Sequence, residues 1–127
     1  MAKILIVEER QINRDFLRML LRYSAHEVLE AGDGLKALKI VTSELPDLII
    51  VDIIMPAMDG LEFVRALRSN PVGANVPVIF LTTELSYQKM ESAQKAGLFA
   101  WIKKPYRSED FFEKIEKATT IGGIHNN

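Results

Sequence analysis

Ionisable and hydroxyl side chains follow four short apolar runs of this chain, each at the point where the run stops. The runs 4–7, 48–51, 78–81 and 99–102 are followed by Glu8-Glu9, Asp52, Thr82-Thr83 and Lys103-Lys104-Pro105. If the runs are neighbouring parallel strands, carboxylates, a hydroxyl and an ammonium group converge at one edge of a sheet. Such a set can hold a divalent cation and a phosphoryl group around one aspartate, Asp52.

The acidic residues at this edge require a compensating charge. Glu8, Glu9 and Asp52 would raise one another's pKa unless Mg²⁺ or a basic group lies among them. Mg²⁺ keeps several waters, so two carboxylates and a backbone carbonyl are sufficient ligands. Lys104 is the resident counter-charge, and a cis Lys104–Pro105 peptide would re-aim its side chain. The alternation of side chains along a strand directs only one of the two threonines into the site.

The elements that must position these residues alternate between strand and helix. The predicted strands, apolar on consecutive positions as in strands buried on both faces, are 3–7, 27–30, 48–51, 76–82 and 99–102. Helical spacing lies between them: Phe16 joins Leu17, Leu20 and Leu21 on one predicted buried face, and Leu35 joins Leu38 and Val41 on the next. Asp33 is the predicted N-cap of the second helix, and the fourth stops at Gly97.

This alternation predicts an α/β fold, a doubly wound parallel sheet of five strands with five helices on its two faces. The length of 127 residues suits one domain. The 16 basic and 17 acidic residues nearly cancel, which disfavours direct nucleic-acid binding. Cysteine is absent, which excludes thiolate chemistry. No apolar run is long enough for a signal peptide or a membrane span, so we expect a cytoplasmic protein without membrane contact.

The motifs resemble those of a response-regulator receiver domain, the phosphoacceptor module of two-component signalling. The similarity extends from Lys3 to about Ala118 and is strongest over 46–60, PDLIIVDIIMPAMDG. The segments 30–38, 77–82, 96–97 and 104–105 support it. The resemblance implies a flavodoxin-like, chemotaxis-regulator-like sheet of order 2-1-3-4-5 in a domain at 1–119, with a flexible tail at 120–127. Segment 10–17 further resembles receivers found inside hybrid sensor kinases.

The resemblance also implies a signalling switch rather than an enzyme. Asp52 would accept a phosphoryl group from a sensor histidine kinase or a phosphotransfer protein. Lys104 and the Thr82 hydroxyl would bind the phosphoryl oxygens. Thr82 and Trp101 would then shift, and the face formed by helix 4, strand 5 and helix 5 would be read by an output partner.

Mg²⁺ is the cofactor that the resemblance implies. Its direct ligands would be Glu9, Asp52 and the backbone carbonyl of Ile54, with Glu8 acting through water. Most family members carry aspartate where Glu9 stands, so we expect weaker Mg²⁺ binding and slower phosphorylation here. The apolar Ile54 should exclude attacking water and lengthen the phosphoryl lifetime, unless Glu84 offsets this effect.

The sequence leaves a second function open: a pseudo-receiver, an interaction module of the same fold that takes no phosphate. Glu9 and Trp101 favour it, since tyrosine or phenylalanine is usual at the position of Trp101 and the bulkier indole would restrict the switch. Enzymes on similar sheets fit less well. A haloacid-dehalogenase-type phosphatase would need aspartate at Ile54, and a flavodoxin would need a Ser/Thr/Gly-rich loop where Glu8-Glu9-Arg10 lies.

Overall fold

The structure is a computed structural model that describes residues 1–53, 55, 58–83 and 87–121. Strands and helices alternate along the described residues. They are β1 (Lys3–Val7), α1 (Gln11–Tyr23), β2 (Glu27–Ala31), α2 (Gly34–Glu44), β3 (Leu48–Asp52), α3 (Gly60–Arg68), a 3₁₀ turn (Pro71–Gly73), β4 (Val78–Thr82), α4 (Tyr87–Lys95), β5 (Ala100–Lys103) and α5 (Ser108–Ile121). None of the helices in these ranges is long and apolar enough to cross a bilayer.

The strands form one parallel sheet in the order β2-β1-β3-β4-β5, which confirms the predicted fold class and strand order. β3 lies at the centre between β1 and β4. The four apolar residues of β3, Leu48 to Val51, are fully buried. Burial on both faces explains why the strand reads as an uninterrupted apolar run rather than an alternating one.

Side chains that alternate along the strands build two cores, one on each face of the sheet. Leu5 and Val7 of β1 belong to the cluster that α2 and α3 cover through Val41 and Phe63. The cluster on the other face contains Ile4, Ile6, Leu17 and Leu21 of β1 and α1, with Phe111 and Ile115 of α5. The helices on both faces therefore hold β3 rigidly at the centre.

Predicted helix signals are present in the structure. The Asp33 carboxylate accepts a hydrogen bond from the backbone N–H of Lys36 (2.8 Å), so it caps α2 as expected. Gly97 has a φ of 92°, a left-handed conformation that glycine adopts without strain, and it follows the end of α4. α5 continues through Ile121, past the boundary predicted at residue 119, while residues 122–127 lie outside the described ranges.

Two residues predicted to be buried are exposed. Phe16 is 48% exposed and Leu35 is 58% exposed. In α1 the core side is filled by Leu17, Leu20 and Leu21, which leaves Phe16 on the outer face. In α2 the core side is filled by Gly34, Ala37 and Val41, and Leu35 lies about 200° around the helix from Ala37. The predictions were wrong because an apolar residue beside a buried one need not share its face.

Candidate functional site

The carboxyl ends of the strands bring the predicted site residues to one edge of the sheet. Asp52 is the last residue of β3 and Thr82 the last of β4, while Glu8 directly follows β1 and Lys104 directly follows β5. Asp52 pairs in register with Leu81, the neighbour of Thr82. The parallel register therefore sets the spacing of the site before any side chain is considered.

Lys104 links the strands at this edge. Its Nζ atom lies 3.5 Å from Oδ2 of Asp52 and 4.0 Å from Oε1 of Glu8. Its backbone N–H donates to the carbonyl oxygen of Thr82 (2.8 Å), which ties the loop after β5 to the end of β4. The Lys104–Pro105 peptide is cis, as the sequence suggested. The lysine thus lies between two carboxylates, with its backbone held in place.

Glu8 is a buried carboxylate, only 3% exposed. Burial raises the pKa of the Glu8 carboxyl, and the neighbouring Asp52 carboxyl raises it further, against the opposing effects of the Arg10 N–H and of Lys104. Oε2 accepts that N–H (2.8 Å). Oε1 is buried and accepts no hydrogen bond within the described ranges, apart from what a proton shared with Asp52 would supply. An oxygen in this condition suits a bound cation.

Glu9, which was predicted to bind metal directly, is exposed at the surface, whereas Glu8 is buried. No hydrogen bond or ion pair joins the Glu9 carboxylate to another described residue. Where the structure describes the chain, no group of three or more acidic or histidine side chains is gathered closely enough to hold a metal ion. The carboxylates brought together are those of Glu8 and Asp52. The predicted metal ligand Ile54, and Glu84, which was expected to offset its effect, lie outside the described residues.

The predicted switch residues flank this cluster. Thr82 is 1% exposed whereas Thr83 is exposed, so Thr82 is the threonine directed into the protein at this edge. Trp101 pairs in register with Phe80 and is half-buried against the core on the α2 and α3 side of the sheet. Trp101 lies on β5, which β4 separates from β3, and its indole packs on the same side of the sheet as Ala93 of α4.

A cleft of about 320 Å³ opens beside the cluster. Glu8 and Lys104 line it together with Leu81 and with side chains of α1 and of the segment after β5. The sequence interpretation missed several of these lining residues: Asn13, Phe16, Leu17, Pro105 and Tyr106. Burial raises the pKa of the Tyr106 phenol to about 12, so this side chain stays neutral. The adjacency of Pro105 and Tyr106 to Lys104 in the sequence was the signal that could have indicated part of this lining.

Arg14 is another residue that the sequence did not lead us to single out. Its guanidinium donates hydrogen bonds to the backbone carbonyl oxygens of Glu8 (2.6 Å) and Glu9 (2.9 Å). The arginine lies in the first turns of α1, six residues after Glu8. A basic residue at this distance from an acidic loop was the available signal.

Comparison with known proteins decides the family. The family model described as "Response regulator receiver domain" matches residues 4–116. The chain belongs to the response-regulator receiver family. The receiver domain is 33% identical over 114 residues to the response regulator MprA of Mycobacterium ulcerans, covering 90% of this chain and 48% of that protein. The chain thus spans about half the length of the curated relatives that it matches.

Solved structures agree with this assignment. The receiver domain superposes on the chemotaxis protein CheY4 of Vibrio cholerae with a TM-score of 0.88 and 33% identity, over 93% of this chain and 98% of that one. It superposes on the receiver domain of the sensor histidine kinase PA1611 of Pseudomonas aeruginosa with a TM-score of 0.85 and 25% identity, over 94% and 98% of the two chains. The PA1611 structure holds a magnesium ion in its active site cleft.

Proposed function

We propose that this receiver domain is a phosphoacceptor switch whose acceptor is Asp52. The observation that carries the proposal is the position of Lys104 between the carboxylates of Asp52 and Glu8, at distances of 3.5 and 4.0 Å. A phosphoryl group on Asp52 would bring oxygens that need a cation, and the lysine is already within reach of the acceptor. The phosphodonor would be a sensor histidine kinase or a phosphotransfer protein.

The transfer itself needs little covalent chemistry from the protein. An Asp52 carboxylate oxygen attacks the phosphorus of a phosphohistidine, so that an O–P bond forms while the P–N bond breaks and the imidazole leaves. Lys104 pairs with a phosphoryl oxygen, and the Thr82 hydroxyl donates to another. Because the central strand fixes Asp52 while β4 and β5 fix these two partners, positioning and charge neutralisation supply the catalysis.

The donor set also suits Mg²⁺. Two carboxylates, Glu8 and Asp52, lie together, and one Glu8 oxygen is buried without a hydrogen-bond donor among the described residues. Mg²⁺ typically takes one or two protein carboxylates and completes its octahedron with waters. When bound, the ion supplies charge neutralisation for the transferring phosphoryl group. We propose Glu8 and Asp52 as holders of the ion, with Glu9 and the Ile54 carbonyl as the further ligands expected from the family resemblance.

The output would follow from the new charge on Asp52. Thr82 ends the strand next to β3, and Trp101 lies on the strand beyond it. We propose that a shift of the Thr82 hydroxyl toward the phosphoryl group alters the packing around Trp101. The face formed by α4, β5 and α5 would then be presented differently to an output partner, as a population shift between two arrangements.

The exposed side chain of Glu9 favours a second candidate, the pseudo-receiver that binds partners without taking phosphate. Incubation with Mg²⁺ and a phosphoramidate donor, followed by intact-mass measurement, separates the two. The switch predicts one phosphoryl adduct on the wild type and none on Asp52→Ala. Failure to form an adduct at any Mg²⁺ concentration, with the protein folded, supports the pseudo-receiver instead.

A further inference from the structure

The acidic loop, residues 8–10 between β1 and α1, is bound through its backbone by the side chain of Arg14. Nη1 of Arg14 donates to the carbonyl oxygens of both Glu8 (2.6 Å) and Glu9 (2.9 Å). The Arg14 side chain is only 16% exposed, and its bond to the Glu8 carbonyl is partly buried while its bond to the Glu9 carbonyl lies at the surface. The planar guanidinium presents its donors in a fixed fork, and two carbonyls on one nitrogen therefore fix the local path of the backbone.

Arg14 is in turn fixed by its other nitrogens. Nε lies 3.4 Å from a carboxylate oxygen of Glu30 at the end of β2, and Nη2 donates to the side-chain oxygen of Gln11 (2.6 Å). The same Glu30 carboxylate receives a hydrogen bond from Arg18 (2.6 Å). The guanidinium thus joins β2, α1 and the acidic loop, and its position does not depend on the loop alone.

The loop needs such a restraint because it must keep a buried carboxylate at the site. Glu8 is 3% exposed and lies beside Asp52, with Nζ of Lys104 4.0 Å from Oε1 of Glu8 and 3.5 Å from Oδ2 of Asp52. The loop's other ties include the Glu8 N–H to the Ala31 carbonyl oxygen (3.0 Å), the Arg10 N–H to the Glu8 side chain (2.8 Å) and the ion pair of Glu8 with Lys104 (4.0 Å).

We propose that Arg14 is a positioning residue that holds the acidic loop in the geometry required for Mg²⁺ and phosphoryl transfer. This inference rests on the proposed function of the same site. Arg14 acts on the backbone of Glu8 and Glu9, so that their carboxylates start from fixed points. Groups of this kind, which orient metal ligands without touching the metal, typically change metal affinity about 10–100-fold when removed.

Arg18 provides the matched control. It binds the same Glu30 carboxylate at a shorter distance, 2.6 Å against 3.4 Å for Arg14, and it also pairs with Asp15 (2.7 Å). Within the described residues, Arg18 donates to Glu30 and Asp15 and not to the loop carbonyls, whereas Arg14 donates two bonds to them. If the two arginines act only by joining α1 to β2, Arg18→Ala should weaken Mg²⁺ binding at least as much as Arg14→Ala.

The experiment compares wild type, Arg14→Ala, Arg14→Lys and Arg18→Ala in three measurements. These are the thermal unfolding temperature without metal, the Mg²⁺ dissociation constant by calorimetry, and amide hydrogen exchange at Glu9 and Arg10 without metal. We expect Arg14→Ala to raise the dissociation constant about tenfold or more, and Arg18→Ala to leave it within about twofold. Exchange at these amides should accelerate in Arg14→Ala alone. Arg14→Lys, which keeps the charge but loses the fork, should be intermediate.

The proposal is overturned if Arg14→Ala and Arg18→Ala weaken Mg²⁺ binding equally, or if Arg14→Ala leaves both the affinity and the exchange rates unchanged. The failure of the proposed function looks different. In that case the wild type itself neither binds Mg²⁺ nor takes a phosphoryl group, while the exchange measurement still reports whether Arg14 holds the loop.

Discussion

The Nζ atom of Lys104 lies 3.5 Å from Oδ2 of Asp52, although the two residues are 52 positions apart in the chain. This pair joins the end of the central strand to the end of an edge strand. Lys104 is partly exposed, so the pair itself contributes little to stability. Its importance lies in what the lysine can bind once Asp52 carries a phosphoryl group.

Lys104→Ala should therefore separate metal binding from phosphoryl transfer. Removing a cation beside Asp52 lessens the repulsion felt by Mg²⁺, so we expect Mg²⁺ affinity equal to or above that of the wild type. Phosphorylation by a small donor should slow about 100-fold, because a phosphoryl oxygen loses its charged partner. Stopped-flow or quenched mass measurements give the rate, with the exposed neighbour Lys103→Ala as control. Equal rates for the two variants would contradict the role of Lys104.

Glu8→Gln should stabilise the metal-free domain at neutral pH. The raised pKa means that the folded state binds the Glu8 proton more tightly than the unfolded state does. The contribution of Glu8 to stability therefore falls as pH rises from the ordinary glutamate pKa of about 4.3 to the raised value. Urea unfolding in EDTA should show a gain of about 1 kcal/mol at pH 7 that vanishes near pH 4.

The same Glu8→Gln variant should bind Mg²⁺ more weakly than the wild type, because a charged ligand is lost. Glu9→Gln serves as the stability control, since the exposed Glu9 side chain should leave the unfolding free energy of the metal-free domain unchanged. A loss of stability in Glu8→Gln at neutral pH would contradict the prediction that the ionised Glu8 carboxylate destabilises the metal-free domain.

Glu9→Asp tests the expectation that this family member binds Mg²⁺ weakly. Glutamate is one methylene longer than the aspartate that the family resemblance leads us to expect at this position, and its side chain is exposed rather than gathered with Glu8 and Asp52. We expect the shorter side chain to tighten Mg²⁺ binding and to speed phosphorylation by a small donor. Calorimetric titration and intact-mass time courses measure the two effects. If both stay at wild-type values, the methylene has no bearing on the site.

Gly60 packs closely against the backbone of Ile53, the residue that follows Asp52. Its N–H donates to the carbonyl oxygen of Ile53 (2.8 Å), and a Cβ atom on it would lie 2.8 Å from the Ile53 Cα. Gly60→Ala should thus displace the backbone next to Asp52, lower the free energy of unfolding by about 1–3 kcal/mol and slow phosphorylation. Gly32→Ala, whose added methyl would meet only the tip of Arg14 at 3.4 Å, should lose much less stability.

Arg68 holds a distant part of the fold through backbone carbonyls. Its guanidinium donates to the carbonyl oxygens of Gly73 (2.9 Å), Val76 (2.7 Å), Ala96 (3.3 Å) and Gly97 (2.7 Å). Burial lowers the pKa of this guanidinium, in keeping with a desolvated cation. Arg68→Met should cost about 2 kcal/mol or more in urea unfolding, because several carbonyls lose their donor together. Arg65→Met, at an exposed position of the same helix, should change stability by less than about 0.5 kcal/mol.

The sequence pattern predicted the sheet well because each strand from β1 to β5 contains a short apolar run that is recognisable without knowledge of the rest of the fold. The predicted strand 3–7 matches β1 at both ends, and the meeting of Asp52 with Lys104 follows from the parallel order of the strands. Helix faces were harder to predict. Phe16 is adjacent to Leu17 in sequence, and only the packing of α1 against the sheet decides which of the two is buried.

The path of the acidic loop could not be read from the sequence. Glu8 and Glu9 are chemically identical, yet one is buried at the site and the other is exposed. The difference arises from bonds made by Arg10 and Arg14 and from the Glu8 N–H bond to the end of β2. Arg68 is a similar case, since its carbonyl partners come from two separate connections, the one between α3 and β4 and the one between α4 and β5. Contacts of this kind depend on the folded arrangement rather than on local pattern.

The central claim is that Asp52 accepts a phosphoryl group. Borohydride reduces an aspartyl phosphate to homoserine, so peptide mass mapping after phosphorylation and reduction reports the modified residue directly. With Mg²⁺ and a phosphoramidate donor, we predict homoserine at position 52 and at no other aspartate, and none when EDTA replaces Mg²⁺. Homoserine at a different position, or none under any condition in the folded protein, would contradict phosphorylation of Asp52.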